Sequence, residues 1–317
     1  MKIAVTGGAG YIGSTLVKRL VEGGNQVVSV DNLMNGDYGH LRALGMNEKA
    51  TLHVADIRDG KRIEESLAGS DAIAHLAALP GLVKCRERPE EAVSINLYGT
   101  QRVLEAARRL DIGKVVFCSS AAVYGKPVEL PVTESHPLRP LNLYGVTKLA
   151  GEKLMELYFD NYGIETISLR FGNVFGVGLY TNYDTVIPRF VRMGIDGEPL
   201  TVYGDGTSSR DFVHVEDVVQ AMALSLASKG LGGEVYNVGG ETLEIGALAR
   251  RIAEFLRDET GENVGITHLP QRPGETKEFS YNLEKIKGDL GYGPRWSVMR
   301  GVEQITKFRL EQRASKV

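Results

Sequence analysis

The stretch Lys2-Ile3-Ala4-Val5-Thr6-Gly7-Gly8-Ala9-Gly10-Tyr11-Ile12-Gly13 decides the fold. A short apolar run enters a Gly7-x-x-Gly10-x-x-Gly13 turn, and that turn joins the first strand to its helix. Glycines so placed permit a tight bend, close approach of the backbone to a pyrophosphate, and close packing of helix on strand. The helix N-terminus then offers free N–H groups and a positive dipole end to phosphates. Glycines at this spacing are common, and the position directly after a strand gives them their meaning.

Outward from this unit, strand-like runs recur at residues 27–30, 52–54, 72–76, 115–118 and 167–169. Their β-branched content suits strands buried on both faces. Helical patterns lie between, notably over 91–109 and 141–162. That alternation predicts an α/β fold with a doubly wound parallel sheet, the Rossmann arrangement, over residues 1–172. Beyond Arg170 a Gly/Tyr/Asn-rich stretch at 172–185 changes the rhythm. Helical patterns follow around 186–193, 215–227, 245–257 and 298–310, with strand-like pieces at 200–203 and 234–238. A smaller α/β substrate lobe is expected over 173–317, packed on the first to form one cleft, with the chain free to cross between lobes.

The 317 residues are 43% hydrophobic and 24% charged, with a formal net charge of -3. Such a balance gives no general attraction to nucleic acid or to an anionic membrane. No apolar run approaches the roughly 18 residues of a membrane-spanning helix, and no leader pattern precedes the first strand, so a cytoplasmic protein is expected. Cys85 and Cys118 are too few for a zinc site or disulfide framework and read as packing residues. The six histidines lack ligand spacing, so no metal is expected.

Asp31 ends the second strand, where a carboxylate can accept both ribose hydroxyls of an adenosine and repel a 2′-phosphate. No arginine follows in Asn32-Leu33-Met34-Asn35-Gly36. NAD is therefore expected in preference to NADP. Asp56-Ile57, after the third strand, suits the adenine edge.

Tyr144 and Lys148 stand one helical turn apart, with Ser119-Ser120 at the end of an earlier strand. Oxidising an alcohol needs a base for the hydroxyl proton while hydride leaves the same carbon. A tyrosine with a reference pKa near 10 is a poor base until its phenolate is stabilised. A lysine four residues on lies on the same face and supplies positive charge. Ser120, at the carboxyl edge of the sheet, can hydrogen-bond the substrate oxygen as alcohol and as ketone.

Together these motifs resemble the extended short-chain dehydrogenase/reductase family, and within it the UDP-glucose (UDP-galactose) 4-epimerase group. The resemblance rests on the glycine turn, Asp31-Asn32, His75-Leu76-Ala77-Ala78, Asn96-Leu97-Tyr98-Gly99-Thr100 and Ser119-Ser120-Ala121-Ala122-Val123-Tyr124-Gly125. It continues through Tyr144-x3-Lys148, Arg170-Phe171-Gly172-Asn173, Gly204 to Asp211, and Tyr236-Asn237-Val238-Gly239. It implies cofactor contacts at Gly7, Gly10, Tyr11, Ile12, Gly13, Asn32, Asn35 and Gly36. Further contacts are implied at Leu76, Ala77, Ala78, Asn96, Ser119, Tyr144, Lys148 and Phe171. For the nucleotide sugar it implies Ser120, Ala121, Tyr144, Asn173, Arg210, Arg272 and Phe279, with Phe279 limiting the space around the 2-substituent. Asp211 reads alternatively as a mere brace for Arg210. It also implies a homodimer built through the helices at 91–109 and 141–162.

Sugar-nucleotide dehydratases of this kind place an Asp-Glu pair directly after the Ser/Thr, since expelling water needs an acid and a base. Here Ala121-Ala122 cannot transfer protons. A nucleotide-sugar 4-epimerase interconverting UDP-glucose and UDP-galactose needs only one base, one hydride carrier and room for a ketone to turn over. A 4-ketosugar reductase needs equally little and stays open as the alternative. One departure concerns a lysine that in such epimerases follows the His75–Ala78 strand end and contacts the cofactor. This chain has Leu79-Pro80-Gly81 there, with Lys84 and Arg86 later, so weaker cofactor retention is expected.

Overall fold

The structure is a computed structural model that describes residues 1–179, 181–271 and 277–314, apart from the side chain of Asn47. Its main sheet contains β1 (Lys2–Thr6), β2 (Gln26–Asp31), β3 (Ala50–Val54), β4 (Ala72–His75), β5 (Lys114–Ser120) and β6 (Glu165–Phe171). The short β7 (Asn173–Phe175), β8 (Leu200–Tyr203) and β9 (Ser209–His214) lie outside it. β10 (Glu234–Val238) rejoins it, before β11 (Glu241–Glu244) and β12 (Ile266–Leu269). The order is β3-β2-β1-β4-β5-β6-β10, and every pairing is parallel.

Alternate side chains of each strand feed opposite layers. Ile3 and Val5 enter one apolar core, with Val116 and Ile167. Ala4, Val115 and Phe117 enter the other. Helices α1 (Tyr11–Glu22), α2 (Gly39–Ala43), α3 (Gly60–Leu67), α4 (Leu82–Glu87), α5 (Pro89–Val93), α6 (Thr100–Arg109) and α7 (Leu143–Tyr162) complete the first half. α8 (Val186–Ile195), α9 (Val215–Ala227), α10 (Ile245–Thr260), α11 (Glu284–Leu290) and α12 (Val298–Ala314) belong to the second. Leu16, Val17 and Leu20 of α1 share the first core with Val218, Val219 and Met222 of α9. Thus residues beyond 172 supply both a strand and a covering helix to the large sheet. The remaining strands form a three-stranded sheet, β11-β9-β7, and a two-stranded one, β12-β8. A separate core that includes Phe190, Leu200, Leu248 and Val302 holds this second lobe.

The helix expected over 91–109 is not continuous. Between α5 and α6 the chain widens into a π-helical turn, Ser94–Gly99. Such a turn is favoured at functional sites because it carries one extra residue without ending the helix. Here it presents the Asn96 side chain to the backbone of Leu79, accepting from its N–H at 2.7 Å and donating to its carbonyl at 3.1 Å. Among the described residues no helix is long and apolar enough to cross a membrane. No group of three or more His, Cys, Asp or Glu side chains there is suited to a metal ion.

Candidate active site

β1 has β2 on one side and β4 on the other, so the strand order reverses at its carboxyl end, where open α/β sheets bind ligands. A cleft of about 430 Å³ lies there. The glycine turn packs with almost no clearance. Gly7 has φ +73°, and a Cβ on it would lie 2.7 Å from the Ala77 nitrogen. A Cβ on Gly13 would lie 2.0 Å from the Gly7 carbonyl oxygen. Only glycine allows α1 to start this close to β1, with its N-terminal N–H groups facing the cleft. Gly7, Gly10, Tyr11, Ile12 and Gly13 all line the cleft, as do Asp31, Asn32, Asn35 and Gly36. Ile57, Leu76, Ala77, Ala78, Tyr144 and Lys148 complete the expected wall.

The Asp31 carboxylate accepts from the Ala9 and Leu33 N–H groups at 3.1 and 2.8 Å. Burial raises its pKa while those two bonds pull it down. It is a fixed acceptor of the kind a ribose diol requires. Asp56 stands behind the wall rather than in it. The Arg58 guanidinium donates to both its oxygens, at 2.8 and 2.6 Å, and Asn32 Nδ2 donates at 3.0 Å. Chiefly through the Arg58 hydrogen bonds, its pKa falls to about 2. Ile57 and Ala55, not this carboxylate, face the cleft.

Three expected cofactor side chains sit elsewhere. Asn96, 2% exposed, spends its amide on Leu79 and on Thr147 Oγ1, to which it donates at 3.1 Å. Ser119, 2% exposed, donates to Glu152. Phe171 fills the core under α9. All three flank the site in sequence, but strand alternation and the π turn aim their side chains inward. Sequence reading also missed part of the wall. Lys84, carried by α4, lines the cleft with Nζ 3.4 Å from Asn35 Oδ1. A cation therefore does stand on that wall, delivered by α4. Thr181–Asp184 close the opposite side from the second lobe, and the Tyr11 hydroxyl donates to Gly176 O at 2.8 Å just before them.

At the chemical end, Ser120 caps a 3-10 turn at Ala121–Val123, its Oγ accepting from the Ala122 N–H at 3.2 Å. Asn142 caps α7, accepting from the Gly145 N–H at 2.9 Å. This sets Tyr144 and Lys148 on one face, one turn apart. The Ser120 hydroxyl stands near the Tyr144 phenol and lowers its pKa, while burial, the larger cause, raises it well above the ordinary value. Lys148 is 2% exposed and donates to Cys118 O at 2.7 Å, with Nζ 5.9 Å from the Tyr144 ring centre. Burial depresses its pKa. Cys118 does more than pack, for it lines the cleft and its carbonyl anchors this lysine. Cys85 is a core residue, its thiol directed at Leu79 O at 3.4 Å.

His75 supports the floor. The Thr100 hydroxyl donates to Asn96 O at 2.7 Å, so its oxygen must accept from His75 Nε2–H at 2.9 Å. His75 Nδ1 then accepts from the Thr6 hydroxyl at 2.7 Å. The ring is thereby assigned a neutral tautomer, and burial lowers its pKa to about 3.

Among the expected sugar-binding residues, Asn173 is exposed and donates to Asp211 O at 3.1 Å. Arg210 is half-buried, with Nη1 donating to Ser209 O at 2.7 Å. Asp211 does not brace it. As neighbours on β9 the two point to opposite faces, and the Asp211 carboxylate instead accepts from Gly240 N at 2.9 Å and Thr242 Oγ1 at 3.3 Å. Burial raises its pKa to about 6. Phe279 is 5% exposed, with its ring 6.3 Å from that of Tyr124 and 5.0 Å from that of Tyr281. Ala121 borders the same cluster. Arg272 lies outside the described residues.

Fold and site together define a nicotinamide-dependent enzyme of the Rossmann type. Residues 3–239 match the NAD dependent epimerase/dehydratase family, and the chain belongs to it. It is 35% identical over 311 residues to a putative UDP-glucose 4-epimerase of Methanocaldococcus jannaschii, covering 96% of this chain and 97% of that one. It is 34% identical to a dTDP-glucose 4,6-dehydratase of an Actinoplanes species, with 97% of each covered. Its structure superposes on that of the UDP-glucuronic acid 4-epimerase of Bacillus cereus, in complex with UDP-glucuronic acid and NAD. The TM-score is 0.89 and the identity 31%, covering 98% of this chain and all of that one.

Proposed function

We propose that this chain is a nucleotide-sugar 4-epimerase that interconverts UDP-glucose and UDP-galactose through a transient 4-ketone. The observation that carries the reading is the turn after Ser120, where Ala121-Ala122 follow a serine that stands near the Tyr144 phenol. A 4,6-dehydratase must also expel a hydroxyl, and these two positions offer no acid or base for it. Bound NAD would supply the hydride acceptor and, once reduced, the donor. The Tyr144 phenolate accepts the proton of the 4-hydroxyl, and the Ser120 hydroxyl donates to the same oxygen throughout. Lys148 keeps positive charge beside the phenolate, offsetting the burial that disfavours it. When the ketone presents its other face, Tyr144 returns the proton, and no net oxidation remains.

The residues that would hold NAD fit it: a cleft at the strand-order switch, a glycine turn without room for a Cβ, and a fixed carboxylate at Asp31. We further infer a cytoplasmic homodimer. Val93, Tyr98, Val146 and Leu157, on the π-broken helix and on α7, are 42%, 44%, 48% and 51% exposed, whereas Val103 and Leu104 turn inward. Light scattering giving a monomeric mass at micromolar concentration would refute the dimer.

The deciding experiment incubates the protein with UDP-, dTDP- and GDP-sugars and separates the products by chromatography. A C4 epimer formed from a UDP-hexose, without net absorbance change at the wavelength of reduced nicotinamide, is expected. A 4-keto-6-deoxy product, or stoichiometric consumption of reduced cofactor, would overturn the reading.

A further inference from the structure

Beneath Ser120 lies a second set of polar side chains that takes no part in the cleft wall. Arg170 of β6 and Glu152 of α7 are 3% and 5% exposed. Arg170 Nε and Nη2 donate to the two Glu152 oxygens at 2.9 and 2.7 Å, and the Ser119 hydroxyl donates to the same carboxylate. Arg170 Nη1 donates to the Tyr124 hydroxyl at 2.7 Å and to Glu134 O at 3.0 Å. The Tyr124 hydroxyl donates in turn to Asn237 Oδ1 at 2.6 Å. Asn237 Nδ2 donates to Val132 O at 3.0 Å and Asn282 O at 3.4 Å. One network thus ties β5, β6, β10, α7, the 121–142 loop and the segment after Phe279.

Stability alone is a weak reason for it. A buried ion pair costs about as much to desolvate as it returns, and apolar replacements of such pairs are often neutral or better. Its placement points to the chemistry. Glu152 continues the Tyr144–Lys148 face of α7 by one more turn. Ser119 and Tyr124 bracket the turn that presents Ser120, one gripped through Glu152 and the other through Arg170. Displacing either end moves the serine hydroxyl relative to the phenol, which reside on different elements.

We propose that Glu152, Arg170 and Tyr124 are positioning residues that fix the Ser120 turn against the Tyr144 face of α7 and link both to the Phe279 side of the second lobe. The inference rests on Ser120 and Tyr144 being the reacting pair. Tyr124→Phe removes one oxygen and keeps the buried ring. A loss of about tenfold or more in kcat is expected, with KM and NAD affinity little changed, because sub-ångström placement of reacting groups governs rate more than binding. In a Ser120→Ala background the same change should cost under about twofold, since contacting residues are non-additive. Ser119→Ala, milder still, should show the same split between kcat and KM. Crystal structures of wild type and Tyr124→Phe should show the distance from Ser120 Oγ to the Tyr144 hydroxyl lengthened by about 0.5 Å or more in the variant. An unchanged distance, or equal loss in both backgrounds, would overturn the proposal. Should the wild-type protein turn over no nucleotide sugar, the epimerase reading fails, and the crystal structure still decides this one.

Discussion

The cofactor end of the cleft and the end proposed for the sugar are built from different material. The cofactor end is backbone set against backbone: Gly7 against Ala77, Gly13 against Gly7, and Asp31 held by two main-chain N–H groups. The sugar end of our proposal would draw on single side chains on distant segments, including Ser120, Tyr144, Asn173, Arg210 and Phe279. A backbone cradle leaves few substitutions open, so it stays the same whatever the substrate. A surface of separate side chains can change its chemistry one residue at a time while the sheet stays put. That difference fits a family whose members, at about one-third identity to this chain, include both epimerases and dehydratases.

The largest expected effect falls where the two ends meet. Tyr144→Phe keeps the ring and removes the proton acceptor, and should lower kcat by about 10³-fold or more while leaving NAD binding and Tm close to wild type. Near wild-type turnover would place the base elsewhere and end the division of labour drawn here. At the cofactor end, Gly13→Ala drives a methyl to within 2.0 Å of the Gly7 carbonyl. The start of α1 must then back away, and calorimetry should show NAD affinity reduced by at least about tenfold, or about 1.4 kcal/mol. Unchanged affinity would mean that side chains, not backbone, hold the cofactor.

The same contrast explains what could be read in advance. Gly7 to Gly13, Asp31 and the Tyr144/Lys148 pair are local patterns whose spacing carries their geometry, and the structure brings all of them to one cleft. Asn96, Ser119 and Phe171 sit in matching motifs, yet their side chains turn inward. A π turn adds a residue that helical periodicity does not register, and neighbouring strand residues face opposite sides. Asp211 missed its assigned partner for the same reason. The wall at Thr181–Asp184 and the Glu152–Arg170 pair are contacts between remote segments, invisible until the chain is folded. Strands β7, β11 and β12 escaped because they are only three or four residues long, and β9 because four of its six residues are polar or charged.

His75 offers a further break point, under the cofactor end. Its folded pKa of about 3 lies below the ordinary 6.5, because burial, and secondarily the Lys148 charge, oppose protonation. A depressed folded value contributes stability that is complete above pH 6.5 and is lost as pH falls toward 3. The slope is about 1.4 kcal/mol per pH unit in that window. Asp211, raised to about 6, acts oppositely between its ordinary 3.8 and that value, so the raw curve mixes the two. Urea unfolding of wild type and His75→Gln at each pH isolates the histidine. Their difference in stability should shrink by about that slope on acidification, and parallel curves would show His75 titrating normally.

The smallest expected effect belongs to the sugar end and probes whether one side chain there sets specificity. Phe279 is nearly buried, yet its cluster reaches Ala121, the residue after Ser120. If the ring limits the space around the sugar 2-substituent, UDP-glucose and UDP-galactose should react far better than their N-acetylated counterparts. Phe279→Ser should then raise the N-acetyl to non-acetyl ratio of kcat/KM by about fivefold, or about 1 kcal/mol, the scale of discrimination that an apolar pocket provides. Removing a ring packed on Tyr124 and Tyr281 also costs about 3 kcal/mol of stability or more, so Phe279→Leu serves as the control that loses packing but keeps the gate. A ratio that rises in both variants would trace to a loosened cluster. Equal kcat/KM for the two substrate pairs in the wild-type enzyme would remove the gate altogether.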